Sequence, residues 1–428
     1  MNLIIIGSGG REFTLAWKAG QNPDCEKIFF MPGNAGAKFL PKCEAINIAV
    51  NDFSGIADFA IENHVRLIIV GPEVPLAEGI VDYFENNENL SEIKIFGPNK
   101  KAAQLESSKD FAKSFMQRQG IPTAAYQTFE SSDYDKARKY VLSHSLPVVI
   151  KADGLAAGKG VIICQKHEDA LKAIDIIFKE NQFGEAGSRL IIEEFLDGIE
   201  LSVFVITDGR DYLLLPEAKD YKRIGEKDTG PNTGGMGSVS PVPFINNELR
   251  QKIESKIIQP TIEGLKNEDI FFRGFIFFGL INVNNEPYVI EYNVRMGDPE
   301  TQVVIPRLKS DLIDHILSCF DGTLQQKRTS IDDQYALSVV MASGGYPEKY
   351  EKGHTITGLD QVQNLVIHAG TAFNNEKIVN AGGRVLAVTA KGQDLKTAIE
   401  NAYIDVSKIS WKDAYYRNDI GQDLLSFQ

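Results

Sequence analysis

Glu291, Asn293 and Arg295 stand at two-residue intervals in VIEYNVRMGDPETQ (289–302), a run that begins apolar and turns abruptly polar. Side chains alternate between faces along a strand. The spacing therefore predicts Ile290, Tyr292 and Val294 on one face. A carboxylate, an amide and a guanidinium line up on the other. Asp298 followed by Pro299 reads as a helix N-cap with proline at the first helical position. Taken alone, the same run also describes a solvated strand face carrying a local ion pair.

A second stretch narrows the choice. PVVIKADGLAAGKGVIIC (147–164) is two apolar strands around a loop holding Gly154, Gly158 and Gly160, with Lys151 ending the first strand and Lys159 inside the loop. It is not a P-loop: Gly154 to Gly158 is one residue too short, and Gly160 stands where the hydroxyl should be. It predicts a glycine-rich hairpin that folds over phosphates, using backbone N–H groups and lysine charge; an ordinary hairpin is the alternative. In IIEEFLDGIELS (191–202), Glu193, Glu194, Phe195 and Leu196 form a strand edge ahead of Glu200. Such an edge can hydrogen-bond the rim of an adenine, and the later carboxylate can accept from ribose hydroxyls. Beside a phosphate-binding hairpin, Glu291 and Asn293 become hard oxygen ligands for magnesium on nucleotide phosphates. Arg295 can fork onto a carboxylate.

The elements that must position these residues come in three blocks. In the first, LIIIG (3–7), KIFFMPG (27–33), RLIIVGPE (66–73) and KIFGPN (94–99) alternate with amphipathic helices. That is the pattern of a doubly wound parallel sheet, which binds ligands at the carboxyl ends of its strands. GSGGRE (7–12) fails as a dinucleotide fingerprint, because Glu12 occupies the third glycine position. A helix starting near Arg11 can still receive a phosphate on its free N–H groups; a plain tight turn is the alternative. Residues 105–120 predict one helix closed by Gly120. From Ile121 the pattern becomes α+β: a strand near Tyr126, helices over 133–143 and 168–180, a strand in RLIIEEFL, and a hairpin turning at Asp208-Gly209. KRIGEKDTGPNTGGMGSVSP (222–241) has no periodicity and is expected to be a structureless functional loop. After KRTSIDDQ (327–334), the runs ALSVVMA, TITGL, LVIHAGT and GGRVLAVTA predict a small β-rich unit.

The totals are ordinary for a soluble globular protein. A chain of 428 residues with 43% hydrophobic content can bury more than one core. A net charge of −13 argues against a broad nucleic-acid or anionic-membrane surface, so any anionic ligand must be met by local donors. Four scattered cysteines without a CxxC pair argue against a zinc site or disulfide scaffold and fit a reducing cytosol. MNLIIIGSGG reads as a strand, not a signal peptide.

In order, GSGGRE, GPEVPLAEGIVD, KADGLAAGKGV, IIEEFLDGIELSVF, DTGPNTGGMG and EYNVRMGDPETQ closely resemble the glycinamide ribonucleotide synthetase family of the ATP-grasp superfamily. The likeness continues to GGRVLAVTA. It implies an α/β and α+β chain with a Rossmann-like doubly wound domain over 1–104. An ATP-grasp domain follows over 105–327, with a mobile lid at about 123–192, and a β-rich C-terminal domain over 328–428. The implied reaction joins glycine to 5-phosphoribosylamine with ATP and Mg2+ or Mn2+, through glycyl phosphate, in de novo purine biosynthesis. The expected protein is a cytoplasmic monomer of the single-function form, without nucleic-acid or membrane partners.

By resemblance, Lys109 and Lys151 hold ATP phosphates, Glu193, Glu194, Phe195 and Leu196 frame the adenine, and Glu200 holds the ribose. Glu291 and Asn293 bind metal. Arg295 holds the glycine carboxylate, with Asp220 and Asp298 near its amino group. Gly9, Gly10 and Glu73 meet phosphoribosylamine. Three positions depart from the family pattern: Phe13 and Tyr221 replace histidines, and Met296 replaces an aromatic. RGFIFFGLI (273–281) lacks the second acid that ATP-grasp enzymes often place on the partner strand. The alternatives are another ATP-grasp carboxylate–amine ligase, a formate- or bicarbonate-activating relative, or a non-catalytic nucleotide-binding regulator.

Overall fold

The computed structural model describes residues 1–154, 160–180 and 187–427. Its first hundred residues build a five-stranded parallel sheet. The strand order is Cys43–Ala45, Lys27–Pro32, Asn2–Gly7, Val65–Val70, Lys94–Phe96. Leu3 and Ile5 pack on the helix Gly10–Ala19, while Ile4 and Ile6 face the helix Phe53–Glu62. Both faces of the strand are covered, so its sequence is a continuous apolar run rather than an alternation. Only Cys43–Ala45 escapes sequence pattern: it is a three-residue edge with two exposed side chains.

The helix expected over 105–120 is two helices, Gln104–Ser107 and Lys109–Arg118. Ser108 between them is extended, at φ −133° and ψ 112°, and its hydroxyl accepts from the Phe111 N–H at 3.2 Å. A serine N-cap restarts the helix here. Asp153, from the end of the strand Val148–Ala152, accepts from the Lys109 N–H at 2.6 Å and anchors the new N-terminus.

Two antiparallel sheets follow. One pairs Tyr126–Glu130, Arg189–Glu194, Val148–Ala152 and Val161–Cys164 in that order. It carries the helices Tyr134–Ser143 and His167–Phe178 on a core of its own, including Phe129, Val141, Ile150 and Ile174. The other pairs Tyr212–Leu214, Ile199–Thr207, Gly274–Val283 and Glu286–Asn293. Gly209 makes the expected hairpin turn at φ +83°.

The segment 222–241 is not structureless. Arg223–Gly225 pairs with Thr229–Asn232 as a small flap. Gly237–Ser240 joins a larger sheet, ordered Lys219–Asp220, Gly237–Ser240, Tyr335–Ser343, Arg384–Gly392, Leu365–His368. Strands of two to four residues are too short to show a period, which is why pattern reading passed over them. TITGL, by contrast, forms only isolated bridges at Thr355 and Thr357.

Two local readings around residue 290 also change. Gly279 pairs with Glu291 and Leu280 with Val289, so Ile290 is the extra residue of a β-bulge. Val289, Tyr292 and Val294 enter the core, while Ile290 turns to the cleft beside Glu291. The strand ends at Asn293, and Asp298 does not cap a helix. The helix Thr301–Arg307 starts later, with the Gly297 carbonyl accepting from the Thr301 N–H at 3.2 Å. This leaves the Asp298 carboxylate free for other partners.

Candidate active site

A cleft of about 790 Å3 lies between the two antiparallel sheets and reaches the first domain. At one end the lysines gather. Lys151 pairs with Glu193 at 2.8 Å, and Lys113 reaches the same carboxylate oxygen at 3.3 Å. Lys109 donates to the Gly154 carbonyl at 2.8 Å. Burial pushes the Lys113 amine down to about 8, opposed by Glu193, and also lowers Lys109. Burial alone raises the Glu193 carboxyl, but Lys151 and Lys113 together hold it below the ordinary range. Lys159 and Gly158 of the hairpin lie outside the described residues.

The expected adenine edge is only partly on the cleft wall. Glu193 and Glu200 line it; Glu194, Phe195 and Leu196 do not. The Glu194 carboxylate accepts from the Ala125 N–H at 2.8 Å. Glu200 is ion-paired with Lys222, a partner that pattern reading did not supply.

At the base of the cleft, Glu291, Asn293 and Arg295 do share one cavity. The Arg295 Nη2 contacts Glu106 at 2.6 Å, and its Nε stands 3.5 Å from Glu73. That second separation is an ion pair without a hydrogen bond, so the buried Nε–H keeps no hydrogen-bond partner among the described residues. Burial raises Glu106 above its ordinary range despite Arg295. Arg11 comes from the first domain, and its Nη1 donates to the Met296 carbonyl at 3.2 Å.

Asp298 accepts from Gln302 at 2.6 Å and pairs with Arg384 at 3.2 Å. Burial opposes its ionisation, yet Arg384 and Arg11 hold it below the usual range. Gly9 backs onto it: a Cβ there would lie 3.1 Å from the Asp298 carboxylate, and one on Gly10 would lie 2.6 Å from Gln302. Neither glycine lines the cleft itself, whereas Glu73 does. Gly235, at φ +112°, lets its loop pass Pro299, since a Cβ would come within 2.3 Å of that ring.

Asp220 and Glu300 form a second acidic group. The Ser202 hydroxyl donates to Glu300 at 3.1 Å. Burial, reinforced by the Asp220 charge, pushes Glu300 up to about 7. Burial raises Asp220 as well, against the pull of Lys222.

Lys113, Glu106, Lys222, Glu300, Arg384 and Arg11 thus join the candidate set. Two carried a signal. Lys113 sits four residues after Lys109, on the same helix face. Glu300 lies inside the opening run itself. Arg384 arrives on a strand of the C-terminal sheet and had no local mark. Of the departures, Phe13 is core, with its ring 5.7 Å from that of His368.

The donor set suits a divalent cation. Among the described residues neither the Glu291 carboxylate nor the Asn293 side chain makes a hydrogen bond, so their oxygens are available to a cation. No cluster of three or more His, Cys, Asp or Glu capable of holding a metal occurs among them. Two protein oxygens with room for ligand oxygens fit a hard divalent cation that keeps waters and phosphates in its shell. Across the sheet, Phe277 faces Asn293 and Gly279 faces Glu291, so no second acid stands opposite.

A cleft clamped between two antiparallel sheets, lysines converging at one end and paired oxygen donors at its base, defines an ATP-grasp protein. Profiles described as the phosphoribosylglycinamide synthetase N domain, ATP-grasp (A) domain and C domain match residues 1–106, 107–301 and 336–423. The chain belongs to the phosphoribosylglycinamide synthetase family. It is 48% identical to a phosphoribosylamine–glycine ligase of Vibrio vulnificus, over 98% of each chain. It is 46% identical to one from Escherichia coli O157:H7, again over 98% of each. The crystal structure of the Thermotoga maritima phosphoribosylamine–glycine ligase matches with a TM-score of 0.85 and 33% identity, over 98% of this chain and 100% of that one. A biotin carboxylase domain from Hydrogenobacter thermophilus shares the fold at a TM-score of 0.71 and 15% identity, over 97% of this chain and 91% of that one.

Proposed function

We propose that this chain is the ATP-dependent ligase that joins glycine to 5-phosphoribosylamine, giving glycinamide ribonucleotide, ADP and phosphate. The observation that carries the chemistry is the shared cleft: oxygen donors and a guanidinium at its base, lysines at its other end. A glycine carboxylate cannot acylate an amine unaided, because oxide would have to leave. Transfer of the ATP γ-phosphoryl group to that carboxylate makes glycyl phosphate. The phosphoribosylamine nitrogen then attacks the carbonyl, and phosphate departs.

Phosphoryl transfer needs alignment and charge neutralisation more than a protein nucleophile. Lys109 and Lys151 supply charge at the phosphates, and Glu193 fixes the Lys151 ammonium. Arg295 orients the glycine carboxylate with the Nε–H that has no hydrogen-bond partner among the described residues. Glu291 and Asn293 would hold Mg2+ or Mn2+, which neutralises phosphate charge when bound. Asp220 and Asp298 face the glycine amino group. Glu193 and Glu200 take the adenosine from the cleft wall, with Glu194, Phe195 and Leu196 as the edge behind them, and Glu73 takes phosphoribosylamine, with Gly9 and Gly10 behind the wall.

The proposed domains are 1–104, 105–327 and 328–428, with 123–192 as a lid that shields the acyl phosphate from water. The separate core of that four-stranded sheet supports the lid. The body and C-terminal domains are interleaved, since Lys219–Asp220 and Gly237–Ser240 pair into the C-terminal sheet. No helix among the described residues is long and apolar enough to cross a membrane; a cytoplasmic monomer is proposed. The test is ADP release with glycine and phosphoribosylamine added singly, together, or with formate replacing glycine. Release that needs both substrates supports the ligase, whereas release with formate or none at all points to the alternatives.

A further inference from the structure

The C-terminal segment meets the cleft through contacts that the reaction outlined above leaves unused. Arg417 is 1% exposed and forks onto Asp419 with two bonds of 2.8 Å. Its remaining nitrogen donates to Asp228 at 2.7 Å and to the Arg223 carbonyl at 3.1 Å. Both acceptors belong to the flap Arg223–Asn232, and Arg223, Asp228 and Asn232 line the cleft. Asp419 accepts from the Lys227 N–H at 2.7 Å, and Tyr415 donates to the Ile224 carbonyl at 2.8 Å. At the flap tip, Lys227 and Asp228 both hold φ at +54°, a conformation costly for residues with a side chain. Such a backbone persists only where its surroundings over-determine it, and here the surroundings are the C-terminal segment.

A second latch sits one strand away. Tyr221 follows the cleft-lining Asp220 and points the other way, buried in the C-terminal core. Its hydroxyl donates to Asp423 and accepts from the Gly421 N–H at 3.0 Å. Two cations stand near its ring, Lys219 at 3.7 Å and Arg417 at 5.3 Å from the centroid. Lys219 closes the loop by pairing with Asp423 at 3.2 Å, and Asp423 itself reaches the cleft wall.

We propose that the segment Tyr415–Asp423 is a positioning element for the amino-acid end of the cleft. Arg417 holds the flap, and the Tyr221–Asp423–Lys219 latch sets the strand that carries Asp220. The proposal rests on the reading of Asp220 as a group facing glycine. Tyr221 and Asp423 are positioning residues: they act through Asp220.

The test uses the full-length enzyme with Tyr221→Phe, Asp423→Asn and the double variant, measuring KM for glycine and for ATP. Asp423 is half exposed, so its variant keeps the fold even if Tyr221→Phe does not. The expected result is a rise in glycine KM of about tenfold in each single variant, with no further rise in the double variant. ATP KM stays unchanged, and Asp423→Glu recovers most of the loss. A uniform rise in both KM values, or a lowered melting temperature with normal kinetics, overturns the proposal. Asp220→Asn is measured alongside. If it alone raises glycine KM, the latch falls and the site reading stands; if it leaves glycine kinetics normal, both fall.

Discussion

Replacing Glu300 with glutamine changes how stability depends on pH, and the structure sets the sign. The carboxyl is 3% exposed and shares its surroundings with Asp220. Its value rises from 4.5 to about 7 on folding. Between those two values the unfolded chain has released this proton while the folded chain keeps it. Stability from this group therefore falls as pH rises from about 4.5 to about 7, and levels off above that. A displacement of roughly two and a half units corresponds to about 3 kcal/mol at one decade per 1.36 kcal/mol. Coupling to Asp220 and rearrangement of Lys222 reduce this, so about 1–3 kcal/mol is expected.

Glutamine keeps the volume and still accepts from Ser202, but never ionises. Glu300→Gln should exceed the parent by less than about 1 kcal/mol at pH 5 and by the full about 1–3 kcal/mol at pH 8. With an unfolding entropy of about 2 cal/mol/K per residue, unfolding of the whole chain as one unit converts this to a gain of about 1–3 °C in melting temperature. Separate unfolding of the domains would concentrate the gain into a larger shift of one transition. The assay is paired thermal unfolding at pH 5 and pH 8, without ligands. Parallel pH dependence in both proteins, or a variant weaker at pH 8, refutes the assignment of a buried, proton-holding Glu300.

Two further outcomes follow from the site. Arg295→Ala should lower glycine-dependent kcat/KM by about 2–4 kcal/mol, roughly 30- to 1000-fold, because it removes a charge-assisted donor and strands Glu106; steady-state kinetics with varied glycine check this, and unchanged values take Arg295 out of the site. Lys151→Ala should raise ATP KM more than glycine KM and unbalance Glu193, which would keep only Lys113; a normal ATP KM and turnover would count against a phosphate role.

Much of this arrangement was legible along the chain because its causes are local. The parallel sheet announced itself since strands covered on both faces must be apolar throughout, as Leu3 to Ile6 are. Glu291, Asn293 and Arg295 were found by spacing, and they do meet in one cleft. Yet the period-two argument was correct for Tyr292 and Val294 and failed at Ile290, where the bulge inserts one residue. The break at Ser108 is a local serine N-cap inside a run that reads as one continuous helix, reinforced by Asp153 from 45 residues away. Arg384, Glu106 and Lys222 stayed hidden because their partners Asp298, Arg295 and Glu200 come from elsewhere in the chain. The roles given to Gly9 and Gly10 came from family resemblance, not from any pattern in the residues.

The central claim is that the cleft activates glycine by phosphorylating its carboxylate. Glycine labelled with 18O in both carboxylate oxygens tests it most directly. The account predicts that one labelled oxygen leaves with each inorganic phosphate released, while the other stays in the new amide. Phosphate carrying no label, with product still forming, would contradict it.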